Sequence, residues 1–250
     1  MKNNLFVWAC NEIRAAEREL NHELSWRFLT TPADTLSSNA KIAFIALNPG
    51  GDKIPFDHGR ESSEAGSAYI YEKWNSVALQ QQVQCLFREI AATINFQDYT
   101  KLMSSSLMAY YIPFRSPNYE SLKCKVESRN FAFRLWSRIL MQISPELIIA
   151  IDHKTFNDIH KILVTKIGFE QTKVLELPTG WGKYTANINY YTMQERSSVL
   201  ARFPHLSRFK IFNRPESEKY AKRIVSEMTK NMLGDPDEVV HRIADKVGSI

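Results

Sequence analysis

The sequence predicts an α/β fold, and three of its features carry that prediction. Short apolar runs of strand length end in turn residues, and stretches with apolar residues at helical spacing lie between them. A run too short for a buried helix suits a strand that is covered on both faces. No stretch rich in Pro, Gly or Ser divides the 250 residues, so we expect a single domain over 1–250.

Composition limits the class of protein. Apolar residues make up 44% and charged residues 24%, the balance of a globular chain. Because no apolar run approaches bilayer length and charges begin early in the sequence, we expect a cytoplasmic protein without membrane contact. We also expect a monomer. Cys10, Cys85 and Cys124 are scattered and form no Cys-x-x-Cys, so we expect no disulfide framework, no metal and no cofactor.

The first half of the chain alternates helical and strand patterns. Apolar spacing over 11–29 predicts an amphipathic helix within a helical extension of residues 1–40. The first strand begins at about Ile42 and opens a core that we place at 41–225. A long loop over 53–76 leads to a helix over about 76–94.

The second half continues the alternation. We expect strands over 106–113, 147–151 and 199–208, with helices over 127–142 and about 155–167. The stretch from Leu177 to Tyr191 predicts a hairpin before the last strand. Its alternating aromatic and basic residues suit a surface that stacks bases, although exposed Tyr is common in hairpins. Pro215 and Asp235 each begin a predicted helix, and the second of these occupies the C-terminal segment 226–250.

Residues 41–52 show the clearest single feature. Six apolar residues precede Asn48, and a Pro-Gly-Gly turn then breaks the run before Asp52. In an open α/β sheet, ligands bind beyond the carboxyl ends of the strands. Asn48 and Asp52 are therefore placed to face a ligand, and so is His205 at the end of the last strand; an ordinary turn is the alternative.

The strand ends form an ordered series. The first reads Ala46-Leu47-Asn48-Pro49-Gly50 and the last reads His205-Leu206-Ser207, with two further strands between them. From about residue 41 to about residue 225 this series resembles the uracil-DNA glycosylase superfamily, with its first motif of the Asn/Asp-Pro-Gly kind and its last of the His-Pro-Ser kind. The resemblance implies a three-layer α/β/α sandwich around a four-stranded, mainly parallel sheet.

The same resemblance implies roles for residues at the site. Asn48 would hold a water, and His205 would donate a hydrogen bond to the departing base. The main chain of Pro49 and Gly50 would contact the base or the water. Because Asn cannot accept a proton, Asp52 is a candidate base, although it could instead cap the next segment.

Recognition of the base departs from the family pattern. An aromatic residue shortly after the first motif stacks on the base in the family, and Phe56 or Tyr69 would do so here. Many members read the Watson-Crick edge of uracil with an Asn that Tyr110 replaces. Since a phenol cannot present both an amide donor and an acceptor, we expect a base other than plain uracil.

The net charge of +5 suits a polyanionic partner, and basic residues fall in the loops at one end of the predicted sheet. By resemblance, Leu206 or Phe209 would enter the DNA groove as a wedge and Arg208 would bind phosphate. Lys154 could meet a phosphate or simply begin a solvated helix. The full set of expected DNA contacts is Arg115, Ser116, Lys154, Lys183, Leu206, Ser207, Arg208, Phe209 and Lys210.

Our hypothesis is a monofunctional DNA N-glycosylase that flips out and excises a modified base. Some bacterial members of the superfamily remove hypermodified pyrimidines from phage DNA, so hydroxymethylcytosine, free or glucosylated, is the base we expect. Two alternatives remain open. One is a uracil or mismatch glycosylase of base-excision repair that reads its base through main chain, since the Asn-Pro-Gly form resembles the mismatch-specific branch. The other is a DNA-binding module that has lost turnover. DNA, expected to be double-stranded, is the partner in each case.

Overall fold

The computed structural model describes residues 4–53, 61–73 and 77–232. Within these ranges the helices are α1 (Asn4–Glu19), α2 (Ala68–Tyr71), α3 (Val77–Thr93), α4 (Tyr99–Ser105), α5 (Lys125–Gln142), α6 (His153–Ile162) and α7 (Pro215–Met228). The strands are β1 (Ile42–Ala46), β2 (Leu107–Tyr110), β3 (Leu147–Ile151), β4 (Glu170–Pro178), β5 (Thr185–Met193) and β6 (Arg196–Arg202).

The strands form one mixed sheet in the order β2-β1-β3-β6-β5-β4. The first four of these are parallel, whereas β5 pairs antiparallel with β6 and β4 antiparallel with β5. The expected count of four strands is therefore wrong, because the hairpin pairs with β6 and enlarges the sheet. Since Asn187 of β5 lies opposite Arg202 of β6, the turn of the hairpin lies at the edge where the parallel strands end.

Helices cover both faces of this sheet. Successive side chains of a strand point to opposite faces. In β1, Ala43 and Ile45 pack in a core with residues of α1, α5 and α6, whereas Ile42 and Phe44 pack with residues of α3, α4 and α7. This double burial explains why β1 and β3 are continuous apolar runs in the sequence.

The N-terminal helix differs from its prediction over 11–29. α1 ends at Glu19, and residues 25–31 follow the edge of β2, where the amide of Tyr110 donates to the carbonyl of Phe28 at 3.0 Å. Such bonds satisfy the backbone groups that an edge strand leaves open. The spacing of the apolar residues in this segment reflects their burial against the sheet and not the apolar face of a helix.

Other elements agree with their predictions more closely. β3 coincides with the strand predicted over 147–151, and α3, α5 and the β4–β5 hairpin are confirmed. α4 was not predicted, and of residues 1–40 only α1 and the short 3-10 turn Ala33–Thr35 are helical within the described part. The helix predicted from Asp235 lies outside the described residues. Among the helices that the structure describes, none is long and apolar enough to cross a bilayer.

Candidate active site

A cavity of about 890 Å³ opens at the edge where the four parallel strands end. Parallel strands bring their carboxyl ends to one edge, so segments that are distant in the chain meet there. The cavity wall includes residues from each strand end, within 47–53 after β1, 115–119 after β2, 152–154 after β3 and 205–207 after β6.

Asn48 lines this cavity with a fixed amide orientation. Its Nδ2 donates to Ser116 Oγ at 2.9 Å and to the carbonyl of Pro49 at 3.2 Å. Ser116 Oγ in turn donates to the carbonyl of Asn118 at 2.8 Å, so it must accept from Asn48. The amide nitrogen of Asn48 is therefore engaged in the protein, and Oδ1 is the atom left to accept a hydrogen bond from the cavity.

His205 lines the same cavity as Asn48. Its Nδ1 lies 2.7 Å from Ser207 Oγ. Desolvation lowers the pKa of His205 from its usual 6.5, although the negative charge of Asp152 opposes that shift. The ring is therefore neutral at pH 7. When the Ser207 hydroxyl donates to Nδ1, the ring carries its hydrogen on Nε2 and can donate it.

The turn after β1 is held against the loop after β2. The amide of Ser116 donates to the carbonyl of Pro49 at 3.1 Å, and Arg115 Nη1 donates to the carbonyl of Gly50. Gly51 adopts a φ of 106°, which side-chain-bearing residues rarely take. These contacts make the turn a rigid support for Asn48.

The cavity wall includes one member of a buried ion pair that the sequence analysis missed. Arg27 lines the cavity with a side chain only 3% exposed, and its Nη1 donates to Glu72 Oε2 at 2.7 Å. Its Nη2 donates to the other carboxylate oxygen at 2.5 Å. A cation between Trp26 and Phe28 was the available signal, because a charge in an otherwise buried segment requires a partner.

Replacing Glu72 by alanine is expected to lower the free energy of unfolding by about 2 kcal/mol. This lies below the roughly 3–5 kcal/mol for breaking a fully buried pair, because the Glu72 side chain remains 17% exposed. Urea denaturation would measure the change. As a control, Glu218→Ala removes the exposed pair with Lys222 and should have no measurable effect. Equal stabilities of the two variants would contradict the prediction.

Tyr69 and Tyr110 also line the cavity interior. Tyr69 is 1% exposed and packs edge-on against Phe44, with ring centroids 5.6 Å apart, so its face is not open for stacking on a base. Tyr110 is half-buried. Desolvation raises the pKa of both phenols, and their hydroxyls are therefore protonated donors at neutral pH.

The structure separates the predicted site residues into two groups. Those that line the cavity are Asn48, Gly50, Asp52, Tyr69, Tyr110, Arg115, Ser116, Lys154, His205 and Ser207. Those outside its lining are Pro49, Lys183, Leu206, Arg208, Phe209 and Lys210. Phe56 lies outside the described residues.

Three further predicted contacts need correction. Pro49 is buried and its carbonyl accepts two hydrogen bonds from the protein, so it is not available to a base. Ser116 is 2% exposed and its hydroxyl is fully used, so it orients Asn48 instead of meeting phosphate. Leu206 is 0% exposed in the core of one sheet face, so it cannot enter DNA as a wedge without unpacking that core.

An aromatic cluster of Trp181, Tyr184 and Phe209 lies at the same edge of the sheet, formed by the hairpin turn and the last loop. The rings of Tyr184 and Phe209 are 4.1 Å apart, and Trp181 meets Phe209 edge-on at 6.4 Å. Tyr184 is 42% exposed. Arg208 is exposed beside this cluster, with its guanidinium 5.6 Å from the ring of Phe209.

The remaining predicted cations take different positions. Lys154 lines the cavity, and its ammonium lies 4.5 Å from the ring centre of Tyr119. Lys183 is exposed in the hairpin turn. Lys210 lines a separate groove against α3 that includes Arg88. Arg115, Lys154 and two lysines that were not predicted, Lys53 and Lys73, leave the cavity wall rich in positive charge.

Within the described ranges, no three His, Cys, Asp or Glu side chains cluster as metal ligands would. The chain was also compared with known proteins. No family model matches it, and no curated protein matches it.

Proposed function

We propose that this chain is a DNA glycosylase of uracil-DNA glycosylase-like architecture, with the four parallel strands as the shared core and β4–β5 as an addition. One observation carries the proposal: Asn48 and His205, from strands far apart in the chain, line one cavity. Hydrolysis of an N-glycosidic bond needs a held water and a donor for the departing base. An amide oxygen and a neutral imidazole supply these two functions.

In the proposed reaction, the base leaves with the electron pair of the bond between it and C1′ of the sugar. The sugar then has oxocarbenium character and is attacked by water. His205 Nε2–H donates to the base oxygen on which negative charge grows, and Asn48 Oδ1 accepts one hydrogen of the water. Because Ser116 and Pro49 hold the amide of Asn48, the water is positioned before the bond breaks.

We propose a modified pyrimidine as the base. Tyr110 stands where many members of the superfamily present an asparagine to uracil, and a phenol cannot reproduce that pattern. The cavity volume of about 890 Å³ lies toward the upper end of the roughly 300–1,000 Å³ of small-ligand sites, which leaves room for a substituent. The Tyr110 hydroxyl offers a hydrogen-bond donor to an oxygen of that substituent. Hydroxymethylcytosine of phage DNA, free or glucosylated, fits these features and implies a role in phage defence.

A panel of duplex oligonucleotides tests this function. Each would carry one uracil, one hydroxymethylcytosine or one glucosylated hydroxymethylcytosine, and alkali would reveal abasic sites as strand breaks. Breaks in the modified-base duplexes are expected, with the double variant Asn48→Ala/His205→Ala as the blank. Breaks confined to uracil would identify a repair glycosylase, and binding without breaks would identify a DNA-binding module.

We further propose that DNA crosses the edge of the sheet beside the cavity. Reaching a base in a duplex requires flipping it out, and a side chain commonly fills the gap. With Leu206 buried, Phe209 is the wedge, since it lies in the aromatic cluster at the correct edge. Arg208 is exposed next to it and is placed to meet a phosphate.

Replacing Arg208 by alanine is expected to weaken binding to any duplex sequence and to reduce the slope of log K against log salt by about 1. One phosphate contact contributes about one released counterion. Fluorescence anisotropy over a salt series would measure both quantities. Arg196→Ala is the matched control, because Arg196 begins β6 at the opposite edge of the sheet. If Arg208→Ala kept the wild-type salt slope, Arg208 would not be a phosphate contact.

A further inference from the structure

Asp152 follows the strand that lies between those leading to the two proposed catalytic residues. β3, which leads to Asp152, is placed between β1, which leads to Asn48, and β6, which leads to His205. The register pairs Ile151 with Ala46, so Asp152 and Asn48 leave neighbouring strand ends. Neighbouring strands are about 4.8 Å apart, and all three side chains line the cavity.

One carboxylate oxygen of Asp152 is engaged, and the other has no partner among the residues that the structure describes. Oδ1 accepts a hydrogen bond from the amide of Lys154 at 2.5 Å and caps α6. Over residues 4–53, 61–73 and 77–232, Oδ2 has no hydrogen bond and no ion pair. The ammonium of Lys154 lies over the ring of Tyr119 instead. Desolvation lowers the pKa of both Arg202 and His205 and the charge of Asp152 opposes that shift, but among the described residues neither side chain makes a hydrogen bond or ion pair with Asp152. A half-buried carboxylate that lines a cavity with one oxygen unpaired is a candidate functional group.

We propose that Asp152 is a third catalytic residue, whose Oδ2 takes a proton from the water that Asn48 orients. The inference rests on the proposed glycosylase function. An O–H bond of the water breaks toward Oδ2 while the water oxygen bonds to C1′. The bond from C1′ to the base breaks, and the base keeps its electron pair. The carboxylic acid then releases its proton to solvent. Asn48 cannot accept a proton, so Asp152 supplies what that amide lacks.

Asp52 is the competing carboxylate, because it lines the cavity as well. It is exposed and follows Gly51 in the turn after β1, whereas Asp152 is half-buried and leaves a central strand. A base surrounded by protein is held in place and separated from bulk water more effectively than one on an exposed turn. The geometry therefore favours Asp152.

The test separates proton transfer from helix capping. Asparagine is as good an N-cap as aspartate, so Asp152→Asn keeps the cap of α6 but removes the proton acceptor. The single-turnover rate of base release is expected to fall at least about tenfold. This factor is small for loss of a general base, because the water is only weakly bonded to C1′ in an oxocarbenium-like transition state and needs little activation. DNA affinity and the thermal midpoint should stay at wild-type values. In Asp152→Ser, which also caps, added formate should restore part of the rate.

Asp98→Asn is the matched control. Asp98 caps α4 in the same way and is not among the residues that line the cavity. It should leave base release unchanged.

Four results would overturn the inference. One is a wild-type rate in Asp152→Asn, and another is a larger loss in Asp52→Asn. The third is a loss of rate in Asp152→Asn that is matched by a loss of thermal stability, together with a rate of Asp152→Ser that formate does not restore. The fourth is a wild-type protein that releases no base from any duplex, which would remove the proposed function itself.

Discussion

Replacement of Asn48 by alanine is expected to lower the single-turnover rate of base release by about 100-fold or more, with duplex affinity unchanged. The amide of Asn48 is fixed by Ser116 Oγ at 2.9 Å, so its Oδ1 holds a water without further reorganisation. Alanine leaves the cavity open but gives the water no acceptor. Quenched-flow analysis of base release, with anisotropy for binding, would measure the two effects separately.

Two variants make the Asn48 result specific. Ser116→Ala should lower the rate by less than Asn48→Ala does, because the amide keeps its bond to the carbonyl of Pro49 at 3.2 Å. Asn11→Ala alters an exposed asparagine on α1 and should retain the wild-type rate. If Asn48→Ala also retained that rate, the water would be held by another group and the proposed mechanism would be wrong.

Replacement of His205 by alanine is expected to lower base release by about 10²- to 10³-fold, the effect of removing one preorganised donor to a developing anion. Desolvation lowers the pKa of this imidazole, so the ring is neutral at pH 7 and donates through a single N–H. The wild-type rate should therefore not change through titration of His205 between about pH 7 and pH 8. A wild-type rate in His205→Ala would exclude the ring from the reaction.

His153 offers the matched control for His205. It is exposed and follows Asp152, yet it is not among the residues that line the cavity. Its ring lies 3.3 Å from the amide of Asn157 on the surface of α6. His153→Ala should release base at the wild-type rate. If both histidine variants lost activity equally, the loss would report general damage to this edge of the sheet.

The sequence by itself determined where β1 and β3 lie and where they end, whereas the strand predicted over 199–208 is β6 at Arg196–Arg202. β1 and β3 are apolar along their whole length because both faces are buried, and each stops at residues that cannot continue a strand or that cap a helix. Local patterns of this kind can be recognised from the segment itself, without knowledge of its distant contacts. They also indicated that Asn48 and His205 occupy strand ends, and hence that both belong to one edge of the sheet.

Tertiary structure alone decided which side chains complete the cavity. Arg27 enters it because residues 25–31 follow the edge of β2, a long-range pairing hidden by apolar spacing that resembles a helix. Leu206 is not part of the cavity wall, because the last loop packs its side chain into the core. Asp152 is central because β3 lies between β1 and β6, a strand order that no local segment records. Burial and strand order depend on contacts between distant residues, so they became visible only in the folded chain.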